Sequence, residues 1–381
     1  LEERYPEYGN LVPRDIATRE IFDVCVNGDL SVEKGQMCVY LDVTELAPAT
    51  QKKLDGILEI YEKFQGADPR RVPMKIFPAV HYTMGGLWVD YERNDHTGGL
   101  VLGSTRNQHS NIPGLFVIGE ADYQYHGANR LGANSLLSCV FSGLFVAPSV
   151  ENWLESPPGT AAADQPTSLF ERQVAEHKRH VDELIRREGN ENPYTLHHEL
   201  GEVMTRNVTV VRRNKDLANT LEKLEELEAR SGRVVLSDKS QWTNQTLSFA
   251  RALGDMIVLA RVIAKGALQR DECRGAHYKP EFDIPAPNAD DPQALRRQAS
   301  EWCRAFGEKN RKWLKTTVAR HTPDGPQLSY EAVDTGLIPP RPRTYGLTGA
   351  EVIEELWRET GPPAADATAA KVVAPAGASR A

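Results

Sequence analysis

The sequence has few cysteines, no basic excess and no long apolar run, and each shortage excludes a class of protein. Its five cysteines are widely spaced and form no Cys-x-x-Cys pair, so we expect neither a disulfide framework nor an iron–sulfur cluster or other metal site in this chain. The formal net charge of -8 and the pI near 5.8 argue against nucleic acid as a partner. The stretch that we take as the most apolar helical one, 253–268, contains three charges and is shorter than the roughly 20 residues that a span needs. No transmembrane segment is therefore predicted.

The sequence also lacks an initiating Met and any G-x-G-x-x-G motif after a strand-like segment. Its first residues show no basic-then-apolar signal pattern. The glycines of that motif let a backbone approach a pyrophosphate, so the ADP end of a dinucleotide has no predicted partner here. We expect the polypeptide to be a piece that begins partway through a longer protein.

What is present is typical of a globular protein, with 40% hydrophobic and 26% charged residues in a chain of 381. Because that length exceeds what one core usually organises, we expect at least two packed units. Periodicity predicts helices over 13–25, 49–64, 134–154 and 293–313, and a helical bundle over 168–270. Strand-like runs fall at 37–43, 76–81, 86–89, 115–118, 316–320 and 327–333. We expect the runs between 76 and 118 to form a sheet, the last two runs to pair, and helix 134–154 to be buried.

One strand-like run ends in a glycine and a carboxylate. Residues 112–122 indicate a turn, a buried strand and then Gly119 and Glu120. The carboxyl end of such a strand faces the ligand crevice in open α/β sheets, where Glu120 could accept hydrogen bonds from a polyol. Gly119 would let the ligand approach the backbone. Alone, this motif does not identify a class of protein.

Three further motifs make the reading specific. They are LVPRDIATR at 11–19, HYTMGG at 81–86 and HGANRLGANSLL at 126–137. In order and approximate spacing they resemble the flavoprotein subunit of the succinate dehydrogenase/fumarate reductase family. The likeness extends through ECRGAHY at 272–278 and LIPPRPR at 337–343, and segments 8–13 and 34–37 are similar to the menaquinone-using succinate dehydrogenase branch.

The resemblance implies a multidomain fold that combines α+β and α parts. The expected parts are a remnant of a capping domain (1–78), the C-terminal half of an FAD-binding α/β domain (79–158), a helical bundle domain (159–312), a small C-terminal α+β piece (313–361) and a disordered tail (362–381). The tail is Ala- and Pro-rich and cannot bury enough surface to offset its ordering entropy.

Two residues are expected to bind a dicarboxylate substrate. A guanidinium fork binds a carboxylate bidentately, and Arg130 lies between Gly127 and Gly132 in the most specific motif. By the resemblance, Arg130 and His81 match the family's substrate-binding arginine and histidine. A structural role for His81 stays open, as does the alternative that His126 only shapes the loop.

Arg14 matches the family's proton-transferring arginine. Chemistry alone would not select it, because its pKa lies above about 12 and a general acid works best near the ambient pH. A dry site with neighbouring cations could disfavour its charged form. Alternatively, Arg14 or Arg19 pairs with Asp15 or Glu20 on a helix face.

Ser135 and Leu136 begin the predicted helix 134–154, and its free N–H groups and positive dipole end would face the pyrimidine side of FAD. The resemblance implies that a hydride passes between substrate and flavin while an arginine moves the proton. Ser135 could equally serve as a helix cap. Since the N-terminal half of the FAD site is missing, the chain by itself is expected to bind flavin weakly or not at all.

The resemblance further implies partners and a location. Succinate and fumarate would be the substrates, and electrons would pass to an iron–sulfur subunit and through it to a membrane cytochrome b or quinone-binding anchor. The chain would be peripheral, at the cytoplasmic face of the cell membrane. Two alternatives stay open: an L-aspartate oxidase, whose loops are similar to HGANR and NSLL, and a non-catalytic helical module that binds a partner.

Overall fold

The computed structural model describes residues 3–6, 8–155, 165–336 and 338–360. The chain divides into two compact units: unit 1 comprises residues 1–81 with 209–211, and unit 2 comprises the rest. The predicted tail, 362–381, lies outside the described residues. The five-part division by domain stays a prediction.

The described residues contain ten α-helices and four β-strands. The helices are α1 (Arg14–Phe22), α2 (Pro48–Lys53), α3 (Asp55–Gln65), α4 (Asn134–Glu155), α5 (Thr167–Arg186), α6 (Pro193–Met204), α7 (Asn214–Ser231), α8 (Gln245–Leu268), α9 (Pro292–Trp313) and α10 (Ala350–Thr360). The strands are β1 (Val39–Leu41), β2 (Met74–Ile76), β3 (Lys315–Arg320) and β4 (Gln327–Ala332).

Unit 1 is built around a short antiparallel pair, in which Val39 of β1 lies opposite Ile76 of β2. Leu58, on the apolar face of α3, packs with Val43 and Met74 in its core. Gly66 follows the last residue of helix α3 and caps it, and its φ of 69° is the left-handed conformation that commonly closes helices. The predicted helix 13–25 is confirmed in type, whereas the predicted helix 49–64 is two helices, α2 and α3. The predicted strand 37–43 is shorter in the structure, and the predicted strand 76–81 is wrong except at its first residue, where β2 ends.

A helical bundle, α5 to α8, forms the largest core of unit 2. Fifteen buried residues meet there, and Leu196, Leu217 and Leu224 are fully buried. The side chain of Asn244 caps α8 by accepting from Leu247 N, and Asn192 accepts from Tyr194 N at the start of α6. The predicted bundle over 168–270 is confirmed.

A second core of unit 2 joins α9 to α10. Trp302 and Phe306 stack at 5.3 Å, Trp357 meets Phe306 edge-on, and Ile353 is fully buried beside them. Strands β3 and β4 pair antiparallel over their whole length, as predicted.

The sheet predicted between 76 and 118 is wrong for the described residues. Leu87 makes one parallel bridge with Asp122, and Phe116 makes one antiparallel bridge with His109, but neither bridge extends into a ladder. The backbone leaves the extended conformation close by, at Gln108 with φ 63° and at Gly114 with φ 80°. Most of the apolar residues in these runs are substantially exposed rather than buried in a sheet, so the apolar pattern alone overstated these strands.

Helix α4 forms as predicted but is not buried as predicted. Its buried positions are the small residues Ser138, Ser142 and Ser149, while Leu136 and Leu144 are about three-quarters exposed. By length and composition it could cross a membrane, although only 17% of its most apolar window is buried within the protein. The prediction that 253–268 is the most apolar helical stretch is wrong, because α4 is more apolar than α8.

Candidate functional site

Arg130 is held in place by an aromatic ring in unit 2. Its guanidinium carbon lies 5.4 Å from the centre of the Tyr82 ring, and the side chain is half-buried. Nη1 donates a hydrogen bond of 3.0 Å to the Leu131 carbonyl. A guanidinium has five N–H donors, and the described residues engage only this one. The rest of the fork is free to bind a carboxylate.

Two side chains fix the Tyr82 ring beneath it, Ser138 by a hydrogen bond and His126 by an edge-on contact at 5.2 Å. Ser138 Oγ donates to the Ser135 carbonyl at 2.8 Å, so its lone pairs can accept from the Tyr82 hydroxyl at 3.2 Å and from His126 Nε2 at 3.1 Å. Burial and the charge of Arg130 lower the pKa of His126, which favours a neutral imidazole in that role. These contacts support the loop-shaping alternative for His126, which stays a prediction.

Sequence reasoning assigned no role to Tyr82 or Ser138. Tyr82 directly follows the predicted substrate histidine, and Ser138 lies three residues after Ser135, which puts it on the same helix face. Those two spacings were the available signal.

Glu120 lies in a short 3-10 turn, Gly119–Ala121, and is exposed. Its Oε1 accepts a hydrogen bond from Thr83 N at 2.9 Å, which leaves its other oxygen available to a hydroxyl ligand. Gly119 has φ 66°, and a Cβ there would meet Cys139 Sγ at 3.2 Å. Gly119 thus permits close packing against α4, and the ligand approach predicted for it stays a prediction.

The second carboxylate of this segment points inward. Asp122 is only 4% exposed and accepts from the backbone and side chain of Gln124 at 3.0 Å. Burial raises the pKa of this carboxyl. Of the two carboxylates, Glu120 is therefore the one that a ligand can reach.

The start of α4 offers free backbone donors. Ala133 has φ 65° and turns the chain into the helix, and Asn134 N donates to the Leu131 carbonyl at 3.3 Å. The described residues supply no partner for the N–H groups of Ser135 and Leu136, and Leu136 is 76% exposed. Unpaired N–H groups at the positive end of a helix dipole suit the electron-rich edge of a flavin ring, so these residues fit FAD.

The other two predicted site residues belong to unit 1. Arg14 is the first residue of α1 and is exposed, with no ion pair among the described residues. The helix-face alternative applies instead to Arg19, which lies 3.7 Å from Asp15. His81 is an exposed residue at the end of the first segment of unit 1. Because Arg130 belongs to unit 2, the meeting of all three side chains across one substrate stays a prediction.

Comparison with known families defines the class of protein. A model described as an FAD binding domain matches residues 3–136, and one described as the fumarate reductase flavoprotein C-terminus matches residues 197–345. These matches indicate a flavoprotein with FAD as its cofactor.

Individual relatives agree. The succinate dehydrogenase flavoprotein subunit of Bacillus subtilis is 48% identical over 351 residues, which cover 91% of this chain and 53% of that protein. The flavoprotein chain of a mutant Escherichia coli quinol fumarate reductase superposes with a TM-score of 0.66 at 30% identity, over 88% of this chain and 51% of that one. A quinol-fumarate reductase solved with menaquinol molecules gives 0.65 at 29% identity, over 87% and 51%.

The chain belongs to the succinate dehydrogenase/fumarate reductase flavoprotein family, as the motifs indicated. It spans about half the length of the curated relatives that it matches.

Proposed function

We propose that this chain carries the substrate-binding and flavin-edge residues of a succinate:quinone oxidoreductase flavoprotein, which interconverts succinate and fumarate. The observation that supports this best is Arg130. Its guanidinium lies over the Tyr82 ring, most of its donors have no partner among the described residues, and it precedes the open start of α4 by four residues. A planar cation beside a helix N-terminus suits an anionic substrate that reacts next to a flavin.

Three residues would handle the substrate. Arg130 would bind one carboxylate through its fork, and His81 would donate a hydrogen bond to the other. Arg14, exposed and without an ion pair among the described residues, would transfer the proton that accompanies the redox step. Binding both ends would hold the central carbons of a four-carbon dicarboxylate in one orientation.

Three other residues would hold the cofactor. When bound, FAD would supply hydride-transfer chemistry, in either direction, for the interconversion of succinate and fumarate. The free oxygen of Glu120 would accept hydrogen bonds from the ribityl hydroxyls, and the N–H groups of Ser135 and Leu136 would face the pyrimidine side of the ring. A positive helix end there would stabilise negative charge and raise the tendency to accept electrons.

Partners are proposed from the family. Electrons would leave towards an iron–sulfur subunit and a cytochrome b or quinone-binding anchor, with this chain peripheral at the cytoplasmic face of the membrane. The quinol named with two structural neighbours supports a quinone at the end of that path, and the Bacillus subtilis relative supports the succinate dehydrogenase branch.

The test is a steady-state assay of the complete enzyme, isolated from its native cell, with succinate and with L-aspartate as donors. We expect turnover with succinate, inhibition by malonate and no turnover with aspartate. Preference for aspartate with oxygen as acceptor would contradict the proposal and favour an aspartate oxidase. Turnover with neither would favour a non-catalytic role.

A separate measurement concerns this polypeptide alone. Its purified 381 residues should show little or no flavin absorbance, since the chain has no G-x-G-x-x-G motif for the pyrophosphate. A bound, reducible flavin would show that this expectation is wrong without affecting the choice of substrate.

A further inference from the structure

We infer that the hairpin formed by residues 272–279 positions the substrate-binding loop that carries Arg130. This hairpin lies in the region that matches the fumarate reductase flavoprotein C-terminus, 197–345. The inference rests on the proposed role of Arg130. The hairpin touches the loop (residues 126–133) through its tip, Gly275 and Ala276. Both segments belong to unit 2.

The base of the hairpin is rigid. Arg274 N donates to the His277 carbonyl at 2.8 Å and His277 N donates back to the Arg274 carbonyl at 3.0 Å, which closes a tight turn. The Glu272 side chain is fully buried between Arg270 at 2.7 Å and Arg274 at 2.9 Å. A buried carboxylate with two guanidinium partners resists displacement, because moving it would leave charges unpaired.

A second anchor lies at the end of the hairpin. Lys279 is fully buried, and its Nζ donates to the carbonyls of Leu268 and Arg270 and to Asp271 Oδ1. Those acceptors belong to the end of α8 and the residues after it. The hairpin is therefore fixed to the helical bundle.

The tip of the hairpin is in close contact with the backbone of the loop. Ala276 N donates a hydrogen bond of 2.9 Å to the Ala128 carbonyl. Gly275 has φ 59°, and a Cβ on it would lie 2.3 Å from that same carbonyl oxygen and 2.9 Å from Asn129 Cβ. Only glycine allows this approach, so the tip fixes the peptide two residues before Arg130.

This contact sets where the Arg130 fork meets a dicarboxylate. Tyr82 supports the guanidinium from one side, but a ring face permits sliding, whereas a backbone hydrogen bond and a steric stop define a position. Displacement of a positioned group by about 1 Å can cost up to about a hundredfold in rate. The helical bundle thus has a part in substrate affinity.

The test is Gly275→Ala in the complete enzyme, with Gly254→Ala as the matched control. Gly254 lies on α8 and a Cβ there would meet nothing within 4 Å. We expect Gly275→Ala to raise KM for succinate and the Kd of malonate on the order of tenfold or more, with a smaller change in kcat and normal flavin content. The control should match the wild type.

The outcomes distinguish the positioning role of the hairpin from the proposed function of the enzyme. Malonate affinity and KM within about twofold of wild type in a folded Gly275→Ala enzyme would overturn the inference, while absence of succinate turnover in the wild type would overturn the proposed function instead. A purely structural defect would lower the active fraction without raising KM. If the variant does not fold, hydrogen exchange of the Ala276 amide in the wild-type enzyme tests the inference. The inference requires that this N–H be protected from exchange and that malonate protect it further. Exchange at the rate of an unprotected amide would overturn it.

Discussion

Replacing Lys279 with Met should destabilise unit 2, although the change removes a buried charge. The ammonium is fully desolvated, but all three of its donors are used, at 2.8 to 3.2 Å. Burial raises the pKa of Asp271, but hydrogen bonds from Lys279 and Asn214 together with the nearby lysine charges lower it overall, so the ionised carboxylate is favoured in this environment. Methionine keeps most of the side-chain volume, so the effect comes from lost bonds rather than from a cavity.

Two opposing effects set the size of the stability loss caused by Lys279→Met. Removing one partner of a buried ion pair costs about 3–5 kcal/mol. Here the cost is reduced, since the Asp271 side chain is 37% exposed and water can replace one bond, and the Arg270 carbonyl keeps His277 Nε2 as a donor at 2.8 Å. We therefore expect a loss of about 2–4 kcal/mol in the free energy of unfolding.

Urea unfolding followed by circular dichroism measures this loss, with Lys215→Met as the control. Lys215 is an exposed residue of α7, so its substitution should change stability by less than about 0.5 kcal/mol. A Lys279→Met protein as stable as the control would refute the reasoning. It would mean that the desolvation penalty of the ammonium cancels its bonds and that the hairpin is not anchored there.

Two further predictions concern the bundle. Leu224→Ala removes a fully buried side chain from the core of the bundle and should lower the free energy of unfolding, measured in urea, by about 2–5 kcal/mol. The control Glu222→Ala, on the exposed face of α7, should change it little, and a loss below about 1 kcal/mol for Leu224→Ala would contradict this packing. Hydrogen bonds from Arg230 and Lys223 lower the pKa of Glu199 from 4.5 to about 2, so its contribution to stability is complete above pH 4.5 and is lost as the pH falls towards 2. Arg230→Met should flatten the stability profile in that window, and an unchanged profile would show that the network does not act in solution.

The helices were predictable because their signals are local. The bundle follows from apolar residues at three- and four-residue steps, and its starts are marked by Asn192 and Asn244. The pairing of β3 with β4 was equally accessible, because alternation over two adjacent runs specifies a hairpin. The strands at 86–89 and 115–118 were not, because whether a strand pairs depends on a partner that its own residues do not encode.

The site was predictable only in part. Arg130, Glu120 and the start of α4 stand out by motif, and the structure adds what holds them. The Tyr82 ring and the Ser138 hydroxyl lie close in sequence to predicted residues but carry no charge that marks a role, and the Ala276 amide comes from a distant part of the chain. Contacts of this kind follow from tertiary packing, which a sequence pattern does not specify.

The most direct test of the account is the affinity of the complete enzyme for malonate after Arg130→Lys, measured by the change in flavin absorbance. Lysine keeps the charge but loses the planar fork, so the account predicts that the Kd for malonate rises about tenfold to a hundredfold while flavin stays bound. The control Arg251→Lys, at an exposed position on α8, should leave the Kd unchanged. Unchanged malonate affinity in the Arg130→Lys enzyme would contradict the claim that this guanidinium binds the dicarboxylate.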